Sequence, residues 1–262
     1  MQAKERRRLV EERVLADGEV DFGTLAAAFD VSEMTIRRDV ESLETRGVVR
    51  RVTGGAMALT GKSTEPSFAT RAAAAAVEKV HIAEAVVALL APRETVILDS
   101  GSTALAVARA IRGRELALTV VTPSLLVALE LSEEPETTVL VVGGLVRPGE
   151  LSIVGSEAEE AFGRYNCDVF VMGLAGVHAT RGLSEYHREE GQVKRAAMLC
   201  ADRTIVAADR SKLGRTRLMT IGRLDMVHTL VTDAPDDDPT VVAAREAGVA
   251  TVCVTRTVGE ER

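Results

Sequence analysis

Val31–Gly47, VSEMTIRRDVESLETRG, decides how the first part of the chain is read. Ser32 is a good helix N-cap, because its hydroxyl can accept a bond from an N–H that the helix leaves without a partner. Ile36, Val40 and Leu43 then fall at i, i+4 and i+7 and form one buried stripe. At 100° per residue, Met34, Arg38 and Glu41 lie on the opposite side, with Thr35 and Arg37 on the flanks. Gly47 is placed to stop the helix. Such a helix can enter a DNA major groove, where Arg bonds guanine in bidentate fashion and apolar atoms touch a thymine methyl. An ordinary amphipathic helix with solvated arginines would carry the same Arg37–Arg38 pair. The preceding TLAAAFDVS distinguishes the two. Leu25, Ala26 and Phe29 give a short apolar face, and Asp30–Val31 a tight turn into Ser32, which is the helix-turn-helix layout.

Outward from that stretch, residues 4–17 read as a first helix ended by Gly18, and Glu19–Phe22 as a short extended piece. Gly23–Phe29 is the second helix and Ser32–Arg46 the third. Val48–Val52 is β-prone and runs into Thr53–Gly54–Gly55, which suggests a wing whose arginines, Arg50 and Arg51, reach phosphates. In this reading Thr24, Ser32 and Arg51 anchor the DNA backbone, while Met34, Thr35, Arg37 and Arg38 face base edges. Bulk charge argues the other way. The chain has 32 Lys+Arg against 39 Asp+Glu, and residues 1–56 alone hold ten against eleven. A DNA footprint must therefore come from local clusters: Arg6–Arg7–Arg8, Arg37–Arg38, and Arg46 with Arg50–Arg51.

SEMTIRRDVESLETRG followed by RRVTGGA resembles the DNA-binding signature of the DeoR family of bacterial regulators. The match runs through Ser32, Thr35, Ile36, Arg37, Arg38, Asp39, Leu43, Gly47 and Gly54–Gly55–Ala56. Val40 stands where that family usually has Leu.

At 262 residues the chain accommodates a small domain and a full α/β domain. Hydrophobic residues make up 46% with no Trp and two Tyr, so the core is built from Val, Leu, Ile and Ala. Nothing approaches the apolar run that spans a bilayer, and MQAKERRRLVEER has no signal-like apolar segment. Cys167, Cys200 and Cys253 show no C-x-x-C spacing and read as small buried hydrophobes in a reducing cytoplasm. The four His show no ligand spacing, so neither a metal nor another cofactor is expected. Residues 58–74, with Gly61 and Pro66, read as a linker between a DNA-binding domain at 1–57 and a second domain at 75–262. An Ala-rich helix is expected from about Phe68 to Leu90.

Apolar β-branched runs then recur at Thr95–Leu98, Leu118–Thr122, Thr138–Val142, Val169–Met172, Thr204–Ala208, Thr229–Thr232 and Ala250–Val254. Helical segments separate most of them: Ala104–Ile111, Ser124–Leu131, Glu157–Phe162, Glu189–Ala201 and Thr240–Ala247. Continuous apolar strands between helices argue for a mostly parallel sheet covered on both faces. The fold class expected is thus a two-domain chain, a winged helix-turn-helix followed by an α/β domain.

Ligands of such sheets bind at the carboxyl ends of the strands. The first strand ends in Asp99–Ser100–Gly101–Ser102–Thr103 and leads straight into a helix, which reads either as an anion cradle or as a plain capped turn. No Walker loop or dinucleotide fingerprint occurs there. Other candidate ligand groups are Thr122, Gly143, Gly144, Asp168 at a strand start, Gly176, Lys194, Asp209 and Lys212. Carboxylates at Asp99 and Asp209 with cations at Lys194 and Lys212 could hold a polyol and its phosphate; each charge could equally be a surface or ion-paired group.

The resemblance to the DeoR family continues here. LDSGST, VVTPS, VVGG, DVFVMGLAG, GLS, Lys194–Arg195 and AADRSKLG align in order with that family's sensor domain. The resemblance implies a fold similar to ribose-5-phosphate isomerase and a phosphorylated sugar as effector, with its phosphate at Ser100–Thr103. Ser102 stands where the family commonly has Thr, and Pro123 where it often has Asn. The expected function is a regulator, a repressor by expectation, that binds operator DNA as a homo-oligomer (dimer or tetramer) and answers to that effector. The alternative is a sugar-phosphate isomerase carrying an appended DNA module, with Glu185, Glu189 or Glu190 near Lys194 as its base. A structural chromatin protein is disfavoured by the net charge of −7.

Overall fold

The computed structural model describes residues 2–45, 49–58 and 64–254. Arg46, Gly47, Val48 and Gly61, which figured in the expected helix end, wing and linker, lie outside them. The chain divides between Ala74 and Ala75 into two compact units.

The first unit comprises α1 (Ala3–Asp17), β1 (Glu19–Asp21), α2 (Phe22–Phe29), α3 (Glu33–Thr45), β2 (Val49–Val52), β3 (Gly55–Ala58) and α4 (Phe68–Ala73). Gly18, at φ +82°, ends α1. Asp21 caps α2, and Asp30, left-handed at φ +51°, makes the turn into α3. The expected stripe of Ile36, Val40 and Leu43 is fully buried, together with Val10, Val14 and Leu25 from α1 and α2. The three strands form an antiparallel sheet in the order β1-β3-β2. Gly54 turns the β2–β3 hairpin at φ +82°. At Gly55 a Cβ would lie 2.5 Å from the Val20 carbonyl oxygen, so only glycine lets β3 approach β1. Three helices and a hairpin make a winged helix-turn-helix.

The Ala-rich helix expected over 68–90 is broken. Ser67 caps α4, Ala74 is extended, and Ala75 adopts φ +51° before α5 (Ala76–Val87) begins. Alanine propensity favours helix at each position but does not forbid an interruption, and the composition carries no Gly or Pro to mark it.

The second unit continues with β4 (Thr95–Leu98), α6 (Ser102–Ile111), β5 (Thr119–Thr122), α7 (Leu125–Leu131), β6 (Thr138–Val141), β7 (Leu145–Val146), β8 (Ile153–Val154), α8 (Ser156–Phe162) and β9 (Cys167–Met172). It is completed by β10 (Gly176–His178), β11 (Gly182–Glu185), α9 (Arg188–Leu199), β12 (Ala201–Ala207), β13 (Met219–Gly222), β14 (Thr229–Thr232), α10 (Pro239–Glu246) and β15 (Ala250–Cys253). The seven expected strands form one parallel sheet in the order β15-β14-β12-β9-β4-β5-β6. Alternate residues feed two cores: Val96, Leu98, Val169 and Val171 join α5 and α6 on one face. Ile97, Phe170 and Met172 join α8, α9 and α10 on the other. Chain order reverses between β4 and β9, and at such a switch point an open crevice forms beyond the carboxyl ends of the strands.

Two antiparallel pieces went unanticipated: the hairpin β7–β8 and the small sheet β10-β11-β13. Among the described residues, no helix is long and apolar enough to cross a membrane.

Candidate DNA-reading surface and effector crevice

Within the first unit, α3 presents Met34, Arg37 and Arg38 to solvent, Met34 at 60% exposure. Burying such an apolar side chain is favourable, and its standing proud fits a surface awaiting a partner. Ser32 accepts a hydrogen bond from the Thr35 N–H (3.3 Å), and the two hydroxyls lie 3.0 Å apart. Arg38 has no ion pair among the described residues, whereas Arg37 lies 3.5 Å from Glu33 and stacks over the Phe22 ring at 4.5 Å.

Two of the expected DNA contacts, Thr24 and Arg51, bond to carboxylates inside the protein. The Thr24 N–H and hydroxyl both donate to Asp21, at 2.8 and 2.5 Å, and these bonds hold the Asp21 carboxyl below its usual range. Thr24 is thus engaged in starting α2. Arg51 donates from its backbone N–H (2.9 Å) and its Nε (2.6 Å) to Glu44, with Glu41 at 3.6 Å, so it straps the wing to α3. Its neighbour Arg50 is exposed. The N-terminal arginines are neutralised as well: Arg6 and Arg7 pair with the buried Asp39, and Arg8 with Glu5 and Glu12. Asp39 falls at i+3 from Ile36, on the buried stripe, but a carboxylate does not read as buried when its partner comes from 33 residues away.

In the second unit the switch point holds a buried ionic cluster. Asp99, just past β4, is 1% exposed; it accepts from the N–H groups of Ser100 (2.8 Å) and Gly173 (3.1 Å) and from Lys194 Nζ (2.5 Å). Lys194, on the inner side of α9, also donates to the Gly173 carbonyl (2.9 Å) and lies 3.6 Å from Glu185. Glu190, one turn earlier, accepts from Ser152 (2.8 Å) and pairs with Arg147 (2.7 Å). Burial alone would push the Lys194 ammonium down, but Asp99, Glu185 and Glu190 together raise it above the ordinary lysine range. Burial pushes the Asp99 carboxyl up against the opposing pull of Lys194. Glu190 is also buried, yet Lys194 and Arg147 bring it below its usual value.

Beside this cluster, Gly101 at φ +95° turns the chain into α6, whose first N–H groups have no partner within the helix. Ser100, Gly101 and Ser102 remain partly exposed there, with Thr103 buried behind them. Asp209 is buried and accepts from Ser211 (3.0 Å) at the start of a 3₁₀ turn, Arg210–Lys212, that leaves Lys212 half-buried.

Several other candidates sit elsewhere or serve the fold. Asp168 is the second residue of β9, at the opposite end of the strands from Asp99. Its Oδ2 takes the Thr95 N–H (2.7 Å) and hydroxyl (2.5 Å), and those bonds lower its pKa. About four residues of strand separate Thr95 from Asp99, roughly 13 Å, so Asp168 is out of the crevice. Gly176 is a packing requirement, since a Cβ there would lie 2.6 Å from the Arg215 carbonyl oxygen. At Gly144, at φ +142°, a Cβ would lie 2.8 Å from the Val154 carbonyl oxygen, while Gly143 faces open space. Thr122 is fully buried and its hydroxyl accepts from the Ser124 N–H (3.1 Å). Arg147 and Ser152 were missed: they lie on the short hairpin, whose Ile153 N–H bonds the Pro123 carbonyl (2.6 Å). Of the three carboxylates named for an isomerase base, Glu185 and Glu190 are buried with Lys194, and Glu189 is not.

The amino-acid sequence matches two family profiles: the DeoR-like helix-turn-helix domain over residues 6–62 and the DeoR C terminal sensor domain over residues 74–234. The chain belongs to the DeoR family. It is therefore a DNA-binding transcription regulator with a sensor domain, and the isomerase alternative falls away. Among its relatives are a putative aga operon transcriptional repressor of Escherichia coli O157:H7, 32% identical over 95% of this chain and 93% of that one. The glycerol-3-phosphate regulon repressor of Escherichia coli K12 is 30% identical over 90% and 92%. Solved structures overlap more partially. Ribose 5-phosphate isomerase A of Methanocaldococcus jannaschii covers 53% of this chain and 55% of its own at 20% identity and TM-score 0.40. A probable sor operon regulator of Shigella flexneri covers 66% and 88% at 11% identity and TM-score 0.41. Overlaps of that size bear on neither function nor ligand.

Proposed function

We propose that this DeoR-family regulator is a cytoplasmic repressor of carbohydrate-metabolism genes, binds operator DNA as a homo-oligomer, and is released by a phosphorylated sugar held in the switch-point crevice. The observation that carries the effector reading is the division of that crevice. The Asp99–Lys194–Glu185–Glu190–Arg147 cluster holds three acids against two bases, so it suits sugar hydroxyls and repels a phosphate. The neighbouring Ser100–Thr103 turn offers hydroxyls and the positive end of α6, which suit the phosphate. The names of the aga operon and glycerol-3-phosphate regulon repressors support the same class of gene target. A single winged helix covers a short DNA site, which favours paired subunits on paired half-sites.

Thermal unfolding with a panel of sugar phosphates, the matching free sugars and inorganic phosphate tests the effector. A ligand at a hundred times its Kd adds about 2.7 kcal/mol to the folded state. One sugar phosphate should raise the Tm far more than its free sugar or phosphate alone; a panel without effect removes the crevice as a phosphosugar site.

A further inference from the structure

The geometry points to a division of labour between the adjacent arginines of α3: Arg37 grips the DNA backbone while Arg38, with Met34, reads base edges. This rests on the proposal that α3 is the helix that enters the groove.

By sequence both arginines are expected at base edges, with Arg37 on the flank of the helix; the fold separates their roles. Arg37 lies on the flank of α3 that faces the start of α2. Its guanidinium stacks over Phe22 at 4.5 Å, and its Nη2 lies 3.5 Å from Glu33 Oε2. The other oxygen of Glu33 lies over Gly23, 3.6 Å from where a Cβ would stand. Phe22 is itself 2% exposed, which makes the stacking platform rigid. Arg37 is therefore fixed beside the first turn of α2. In a helix-turn-helix the helix before the reader crosses the sugar-phosphate backbone, so a cation fixed there meets phosphates and not base edges.

The guanidinium has five N–H donors, and stacking consumes none of them. An exposed ion pair such as Glu33–Arg37 is weak enough for a phosphate to share the cation. Asp21, the other carboxylate of this corner, already accepts both donors of Thr24. Arg38 is placed differently. It lies 100° further round, on the side of Met34, with neither an ion pair nor a ring contact among the described residues. Its reach is uncommitted, which bidentate bonding to a guanine requires.

The test uses the full chain and a duplex selected by the wild-type protein from a random pool. Binding is read by fluorescence anisotropy on that duplex and on its single-base variants, between about 50 and 200 mM salt. Arg37→Gln should weaken binding to all these duplexes by a common factor and reduce the log Kd against log salt slope by about 1. Arg38→Gln should lose about 5- to 150-fold of the discrimination at one base pair. Arg37→Lys, which keeps the charge, should recover the slope; a slope still reduced in that variant assigns the loss to structure and overturns the proposal. An Arg37→Gln protein that loses preference at one base pair, or keeps the full slope, overturns it as well. If neither arginine affects slope or discrimination, α3 is not the groove helix, and the underlying reading fails instead.

Discussion

Lys194 shows what a single buried charge does in this sensor domain. It is 4% exposed in its side chain, with Asp99 at 2.5 Å and Glu185 at 3.6 Å. Replacing it by methionine keeps the volume but leaves the Asp99 and Glu185 carboxylates facing one another without a cation. The cost expected from a broken buried pair is about 3–5 kcal/mol. Burial already raises the Asp99 carboxyl, and in Lys194→Met the cation that opposes it most is gone, leaving the Ser100 and Gly173 N–H groups. An acid whose folded pKa exceeds its unfolded one takes up protons on folding, so its burden grows as pH rises through that window. Urea unfolding of Lys194→Met should therefore show a large loss at pH 7 that shrinks toward pH 5; a loss independent of pH would assign it to packing. The sequence shows Asp99 and Lys194 at a strand end and on a helix, but the two are 95 residues apart, and only the sheet order brings them together. Asp168 is the opposite case: it precedes the run Val169–Met172, and ligands of such sheets bind at the carboxyl ends, so its place at a strand start already takes it away from the crevice.

At the scale of elements, legibility follows period and length. The stripe of Ile36, Val40 and Leu43 recurs at helical spacing over two turns, so α3 can be read from its period alone. The sheet strands are continuous apolar runs because helices cover both faces. The hairpin β7–β8 has two residues per strand, too few for alternation to register, and the break at Ala74–Ala75 sits in a run where every residue favours helix. The wing is legible as a hairpin, but its attachment is not. Arg51 bonds hold the Glu44 carboxyl below its ordinary range, the backbone N–H first and the side chain second. A carboxylate with a depressed folded pKa contributes at neutral pH and loses that contribution as pH falls through its folded value, below the ordinary Glu range. The Arg51 amide should thus exchange with solvent faster in acid than at neutral pH, relative to other β2 amides. Equal acceleration across β2 would show that the strap does not hold the wing.

For the whole molecule, the two units should fail independently when each is damaged at its own site. Replacing Ser100 and Ser102 together by alanine removes two hydroxyls from the α6 turn and changes no residue of the winged helix. Operator affinity without ligand should be unchanged, while the ligand-induced loss of DNA binding disappears; titration of effector into a protein–duplex complex reads both. A double variant that still releases DNA normally moves the effector site away from the α6 turn. The order of the strands, unlike their positions, was closed to sequence reasoning, because parallel runs of similar composition can be arranged in several ways about the first. That order sets where the crevice opens, between β4 and β9.

The enclosure of Lys194 has a chemical consequence. An amine condenses with the open-chain aldehyde of a sugar only as the neutral base and only where the carbonyl carbon can approach it. Here the nitrogen is kept as an ammonium by surrounding carboxylates, with its protons directed at Asp99 and the Gly173 carbonyl. A reducing sugar resting in the crevice would find in Lys194 no nucleophile to form a Schiff base, so this amine would hold a sugar by charge and hydrogen bonds and release it by simple dissociation.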